Sequence, residues 1–239
     1  MDDALAQHLI ALNHAFYQTA GASFDRTRQG AWPGWRRLLA HLPDSRPLTV
    51  LDAGCGNGRL ARFLNREGVA LDYTGVDFSP ELLTAADQAL YSLSGMVRTL
   101  VTTDFMTAPE RLPGGPFGLV ALFGVLHHTP GAARRTRLIE ALARRVAPGG
   151  LLAFSAWRFD EQPRFRDHLL PVPPEMALEA GDALLDWRAE GVQAVRYCHA
   201  ADDAELDGLV TVCGLTLVDA YRADGHSGDL NDYRLLRRP

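Results

Sequence analysis

The chain has 239 residues, 47% of them hydrophobic and 22% charged, with a formal charge of −5, which is the composition of a globular domain large enough for a full core. All 24 basic residues are arginine; chemistry that needs a lysine amine is therefore excluded, and with it Schiff-base and pyridoxal-phosphate enzymes, Walker-type NTPases and protein kinases. Three cysteines without a CxxC pair, Cys55, Cys198 and Cys213, argue against a disulfide framework or a structural zinc site, and no apolar run reaches the ~20 residues of a membrane span.

The first residues, MDDALAQHLIALNHAFYQTAG, carry acids where a signal peptide carries basic residues, so a cytoplasmic location is expected. Leu5, Leu9, Leu12 and Phe16 predict an amphipathic helix over 3–20. A second helix is expected over 33–41, with Pro33 in its first turn. Strands are expected at 48–54, 71–78, 97–104, 117–126 and 151–157, and helices at 58–68, 79–90 and 132–150, the last ended by Pro148 and two glycines. This β-α alternation predicts a doubly wound, Rossmann-like α/β fold with helices on both faces of a mostly parallel sheet. After Trp157 the rhythm breaks into an acidic stretch rich in Pro and Gly. A strand near 194–199, a helix at 202–213 and two strands at 215–223 and 232–238 follow, the last two expected as an antiparallel C-terminal hairpin on a seven-stranded sheet.

Charge is uneven. Residues 1–159 hold 16 arginines against 13 acids, residues 160–232 hold 5 against 16, and residues 233–239 add three arginines. A basic face for nucleic acid must therefore come from the first two thirds and the tail.

In such sheets ligands bind beyond the carboxyl ends of the strands. Gly54, Gly56 and Gly58 stand at the end of the first strand, in VLDAGCGNG. A dinucleotide loop, GxGxxG, would put its third glycine at position 59, which is Arg59. Asp77 ends the second strand, where an acid accepts both hydroxyls of a ribose. Asp104, followed by Phe105, ends the third, where an acid takes an adenine amino group and an aromatic covers the ring.

VLDAGCGNG, GVDFS and TTDF together resemble the nucleoside-binding motifs of class I S-adenosylmethionine-dependent methyltransferases. TRQGAWPGW (27–35), the His127-His128 pair and RYCHAADDAELDGLV (196–210) are further similar to the tRNA methyltransferases that esterify 5-carboxymethyluridine at the wobble position. The sequence departs from that family at LLDW (184–187) and NDYRLL (231–236). The resemblance implies S-adenosyl-L-methionine as cofactor and S-adenosyl-L-homocysteine as product, held by Asp52, Gly54, Cys55, Gly56, Asn57, Gly58, Asp77, Phe78, Ser79, Asp104, Phe105 and Gly124. His127, His128 and Arg28 are the acceptor-side and catalytic candidates. The order of elements divides the chain into an N-terminal helical cap over 1–45 and a methyltransferase domain over 46–239, in which the insertion 158–200 is expected to be a substrate lid.

Asp52 either orients the loop or touches the cofactor's ammonium group; Cys55 is expected to be a small packing residue, not a nucleophile. If the fourth strand continued, His127 and His128 would point in opposite directions, and the sequence does not choose between them. Arg28 is either a partner for the methionine carboxylate or a surface ion pair. Three functions stay open: methylation of a wobble-uridine carboxylate in tRNA, O-, N- or C-methylation of a small molecule, and a non-catalytic nucleoside-binding module. No membrane partner is expected, and the need for a small partner protein is left open.

Overall fold

The computed structural model describes residues 1–26, 30–189 and 191–239. The chain begins with helix α1 (Asp3–Arg26) and the short α2 (Trp35–Leu38). Strand β1 (Leu48–Ala53), helix α3 (Arg59–Arg66), strand β2 (Leu71–Asp77), helix α4 (Pro80–Leu90) and strand β3 (Met96–Thr102) follow. Then come β4 (Phe117–Leu122), α5 (Ala132–Ala143) and β5 (Val146–Trp157). The remainder is β6 (Leu169–Leu170), β7 (Asp182–Ala189), β8 (Val192–His199), α6 (Asp203–Val212), β9 (Thr216–Ala223) and β10 (Asn231–Arg237).

Seven of these strands form one sheet in the order β3-β2-β1-β4-β5-β10-β9. β1 pairs in parallel with β2 and β4, and β10 pairs antiparallel with β5 and β9, as the expected fold class and C-terminal hairpin require. Successive residues of each strand feed opposite cores, because side chains alternate along a pleated strand. Val50, Leu119, Leu151 and Leu235 pack beneath α2, α3 and α4. Leu51, Val120, Leu152 and Leu236 pack against Leu138 and Leu142 of α5 and Leu206 of α6.

Several expected boundaries are corrected. α5 ends at Ala143, not at residue 150. The Arg145 guanidinium turns back onto the carbonyls of Ala141, Leu112 and Pro113, and Val146 already pairs with Phe117 in β5. Pro148 and the two glycines form an irregularity in that pairing, which jumps from Phe117–Val146 to Leu119–Leu151. β4 ends at Leu122, because Gly124 at φ 73° turns the chain into a 3₁₀ turn over Leu126–His128. The crossover from β3 to β4 contains only a 3₁₀ turn, Pro109–Arg111, so the β-α alternation is not complete.

The stretch after Trp157 also holds an antiparallel three-stranded sheet, β6-β7-β8, of which only β8 was expected, as the strand near 194–199. α1 lies between the two sheets. Its Ile10 joins the main core, Leu9 packs with Leu184 and Tyr197, and Phe16 packs edge-on to Trp187. The Asn13 side-chain oxygen accepts the backbone N–H of Tyr197 in β8 at 2.8 Å, which ties helix to sheet.

Candidate functional site

β1 leads to neighbours on both sides, β2 toward one edge and β4 toward the other, so the strand order reverses between them. A cleft opens beyond the carboxyl ends at such a reversal. Here the cavity is lined by the glycine loop, by Asp77, Phe78, Asp104 and Phe105 from the ends of β2 and β3, and by Phe123, Gly124, Val125 and His128 after β4. Tyr17 of α1, Trp32 and Arg59 complete it.

The loop is shaped by its glycines. Gly54, Gly56 and Gly58 all have positive φ, at 77°, 52° and 76°, a region costly for residues with a Cβ. A Cβ on Gly54 would lie 2.2 Å from Val125, whereas one on Gly56 would meet nothing and project into open space. The loop is pinned to β2 by hydrogen bonds from the N–H groups of Gly54 and Cys55 to the Val76 carbonyl.

Asp77 is buried. One carboxylate oxygen accepts the N–H of Gly56 at 2.9 Å and the other that of Ser79 at 3.0 Å. Burial pushes its pKa up, against the pull of those hydrogen bonds. A carboxylate has about four lone-pair positions, so each oxygen keeps capacity for a further donor. Asp104 accepts the N–H groups of Met106 and Thr107 through one oxygen, and its other oxygen lies 3.8 Å from His14. His14 stacks on Phe78 at 4.2 Å.

Not every candidate reaches the cavity. Asp52 is buried one layer below, where it accepts the Tyr73 hydroxyl at 2.8 Å, and burial raises its pKa to about 7. Cys55 lines the cavity, but burial, with Asp52 and Asp77 nearby, pushes its thiol well up, away from the thiolate. Gly58 packs toward Leu90, and Ser79 caps α4 by accepting the N–H of Leu82. Asn57 faces the cavity. Arg28 lies outside the described residues.

The histidines are not on a strand, which corrects the expectation that they alternate. Within their 3₁₀ turn only His128 lines the cavity, while His127 packs 5.1 Å from the ring of Trp157. His128 receives Tyr17 Oη at 3.0 Å on Nε2, and its Nδ1 lies 3.0 Å from the Tyr197 carbonyl.

Tyr17 and Arg59 were not singled out in the sequence. Tyr17 sits one helical turn beyond Asn13, in a helix whose pattern reads only as amphipathic. Arg59 follows the glycine loop directly, and its position was a signal; its guanidinium lies 5.5 Å from the ring of Trp32. Trp32 stacks on Trp35 and also forms one wall of the cavity.

Comparison with known proteins places this geometry. The family described as Methyltransferase domain matches residues 24–220. "Probable tRNA methyltransferase 9B" from Mus musculus is 26% identical over 223 residues, covering 92% of this chain and 45% of the relative. "Trans-aconitate 2-methyltransferase" from Azoarcus sp. (strain BH72) is 32% identical over 133 residues, covering 55% of this chain and 47% of the relative. The chain thus spans less than half the length of either relative. A solved S-adenosylmethionine-dependent methyltransferase from Methanosarcina mazei superposes with a TM-score of 0.68 at 19% identity, covering 87% of this chain and 98% of that one. With a family match running through the glycine loop, both histidines and the second sheet, the chain belongs to the methyltransferase domain family and has the fold of that solved enzyme.

Proposed function

We propose that the chain transfers the methyl group of S-adenosylmethionine to a small-molecule acceptor held at the Tyr17–His128 end of the cavity. One observation carries this reading: the glycine loop, Asp77, Asp104 and His128 open onto one continuous cavity.

The residues fit the cofactor. The space that a Cβ on Gly56 would fill is open for a ligand. Asp77 has an oxygen for each ribose hydroxyl, and Asp104 with Phe105 suits the amino group and face of an adenine. The bound cofactor supplies a methyl group on a sulfonium, already activated for in-line displacement. The chain's residues then have to orient the acceptor and exclude water, for which Trp32, Phe78 and Phe123 provide apolar walls.

A tRNA acceptor has support from the motifs and from the name of the mouse relative. Four arginines of the first two thirds and the tail are already engaged by the protein itself. Arg135 is 1% exposed and paired with Glu179 and Glu205, and Arg134 is paired with Asp3. Arg237 and Arg238 donate to the carbonyls of Gly149, His41 and Ala143. Residues thus engaged make a poor phosphate track.

The test is transfer from methyl-labelled S-adenosylmethionine, offered in parallel to deproteinised metabolite extract and to bulk tRNA. Label in a small product is expected. Label in an alkali-labile ester on tRNA would favour the carboxymethyluridine reading, and absence of cofactor binding would favour neither.

A further inference from the structure

Gly34 is held by both of its backbone polar groups. Its N–H donates to Asp224 Oδ1 at 2.9 Å, and its carbonyl accepts the Tyr221 hydroxyl at 2.8 Å. Both partners belong to the C-terminal hairpin: Tyr221 lies in β9, and Asp224 is the first residue after it. The φ of Gly34 is −59°, in the ordinary right-handed region, so conformational freedom is not what this glycine supplies. A Cβ there would lie 2.6 Å from the Tyr233 ring, and its absence lets the loop approach the hairpin this closely.

Asp224 is buried, and at φ 72° it is the single non-glycine residue with positive φ among the described residues. That region is unfavourable for a residue with a Cβ and persists where the surroundings over-determine it. Here Oδ2 accepts the Asn231 side-chain N–H at 2.8 Å and the Tyr233 hydroxyl at 2.5 Å, and the Asp224 carbonyl accepts the N–H of Leu230. A glycine would make the same turn without strain, as Gly225 does at φ 71°. What the aspartate adds is its carboxylate, and the bond that the carboxylate makes beyond the hairpin goes to Gly34.

Gly34 in turn fixes Trp32. The Trp35 N–H donates to the Trp32 carbonyl at 3.1 Å, closing a four-residue turn with Pro33 and Gly34 at its centre. From this turn Trp32 reaches Gly124, where a Cβ would lie 3.1 Å from its ring, and walls the cavity. The strand order locates that wall. Asp104 follows β3, Asp77 ends β2, the glycine loop follows β1 and Gly124 follows β4, and these strands are neighbours in the order β3-β2-β1-β4. Three strand spacings separate the Asp104 and Gly124 ends by about 14 Å. With the base at Asp104 and the ribose at Asp77, the amino-acid arm of the cofactor runs on past the glycine loop to β4, where Trp32 stands.

We infer that Asp224 and Tyr221 are positioning residues, which through Gly34 set the Trp32 wall against the amino-acid arm of S-adenosylmethionine. The inference rests on the cofactor reading above. The sulfonium joins that arm to the ribose, so a fixed wall on the arm fixes where the methyl group points.

Calorimetry with two ligands tests this: S-adenosylhomocysteine, which has the arm, and methylthioadenosine, the same nucleoside thioether without it. Asp224→Gly suits the positive φ and deletes the carboxylate. It is expected to weaken S-adenosylhomocysteine roughly fivefold or more and to leave methylthioadenosine unchanged. Tyr221→Phe keeps the ring stacked on Tyr233 at 4.8 Å and removes one hydroxyl. It is expected to act in the same direction, and it carries the test should Asp224→Gly not fold. In a Trp32→Leu background neither substitution is expected to weaken S-adenosylhomocysteine further, since the wall that they position is gone. A loss of stability alone would weaken both ligands together. Equal losses for the two ligands, an unchanged affinity for S-adenosylhomocysteine, or full additivity with Trp32→Leu would each overturn the inference. Wild-type protein that binds neither ligand defeats the cofactor reading instead.

Discussion

Asp77 is the side chain on which cofactor affinity is expected to depend. Its two oxygens already hold the glycine loop and the start of α4. Asp77→Ala removes an acceptor of two ligand hydroxyls and loosens Gly56, a loss of about 1–3 kcal/mol or more for a charged acceptor. Calorimetry should show S-adenosylhomocysteine binding at least tenfold weaker while the melting temperature shows the fold retained; unchanged affinity would refute the ribose assignment. That Asp77 and Asp104 line the cavity was legible because each ends a strand of a doubly wound sheet, where the cleft opens. Tyr17 was not, since it meets His128 across 111 residues of sequence and lies in a helix with an ordinary apolar stripe. Which histidine faces the cavity was equally hidden: it depends on Gly124 ending β4 early, and one left-handed residue reverses any alternation argument.

Among the elements, the second sheet is joined to the methyltransferase sheet by buried charge. Arg135 of α5 binds Glu205 of α6 at 2.5 Å, Glu179 before β7 at 3.2 Å and the Thr129 carbonyl, next to His128, at 3.1 Å. Arg135→Ala should cost about 1–3 kcal/mol, because it removes a buried guanidinium that donates to two half-buried carboxylates and to the Thr129 carbonyl, and a urea melt measures it. In the same network His199 bridges Asp182 and Glu205, both at 2.7 Å. Burial opposes its charge, but the two hydrogen bonds prevail and its pKa is raised. A raised histidine contributes fully below its unfolded value of about 6.5 and loses that contribution as pH rises through the folded value. The melting temperature of the wild type should therefore decline on the alkaline side by more than that of His199→Gln; parallel profiles would show that His199 is neutral. None of this was visible beforehand, since β7 is flanked by turns and acids, and its acids read as solvated until the fold supplies their partners.

For the molecule as a whole, the −5 charge and the engagement of Arg134, Arg135, Arg237 and Arg238 with protein groups predict weak, non-selective contact with nucleic acid. A substrate tRNA with several phosphate contacts would lose affinity steeply with salt, at a slope of about −0.7 to −0.9 per contact. Turnover of a small acceptor is expected to be flat across the same range, and a steep fall would restore tRNA. The mostly parallel sheet with helices on both faces was readable because parallel strands buried on two faces leave long apolar runs. The acceptor was not, because it is chosen by elements distant in sequence.

α1 brings two side chains to the residues that line the cavity. His14 stacks on Phe78 beside Asp104, and Tyr17, three residues on, bonds to His128. A helix is stiff over one turn, so order imposed at the nucleoside end is transmitted to the acceptor end. The two ligands should then bind cooperatively, and linkage makes the effect reciprocal: the factor by which S-adenosylhomocysteine tightens binding of an acceptor found by the labelling assay must equal the factor by which that acceptor tightens S-adenosylhomocysteine. Fluorescence titrations in both orders measure the two factors. A factor of one in both would mean that the helix holds its two ends independently.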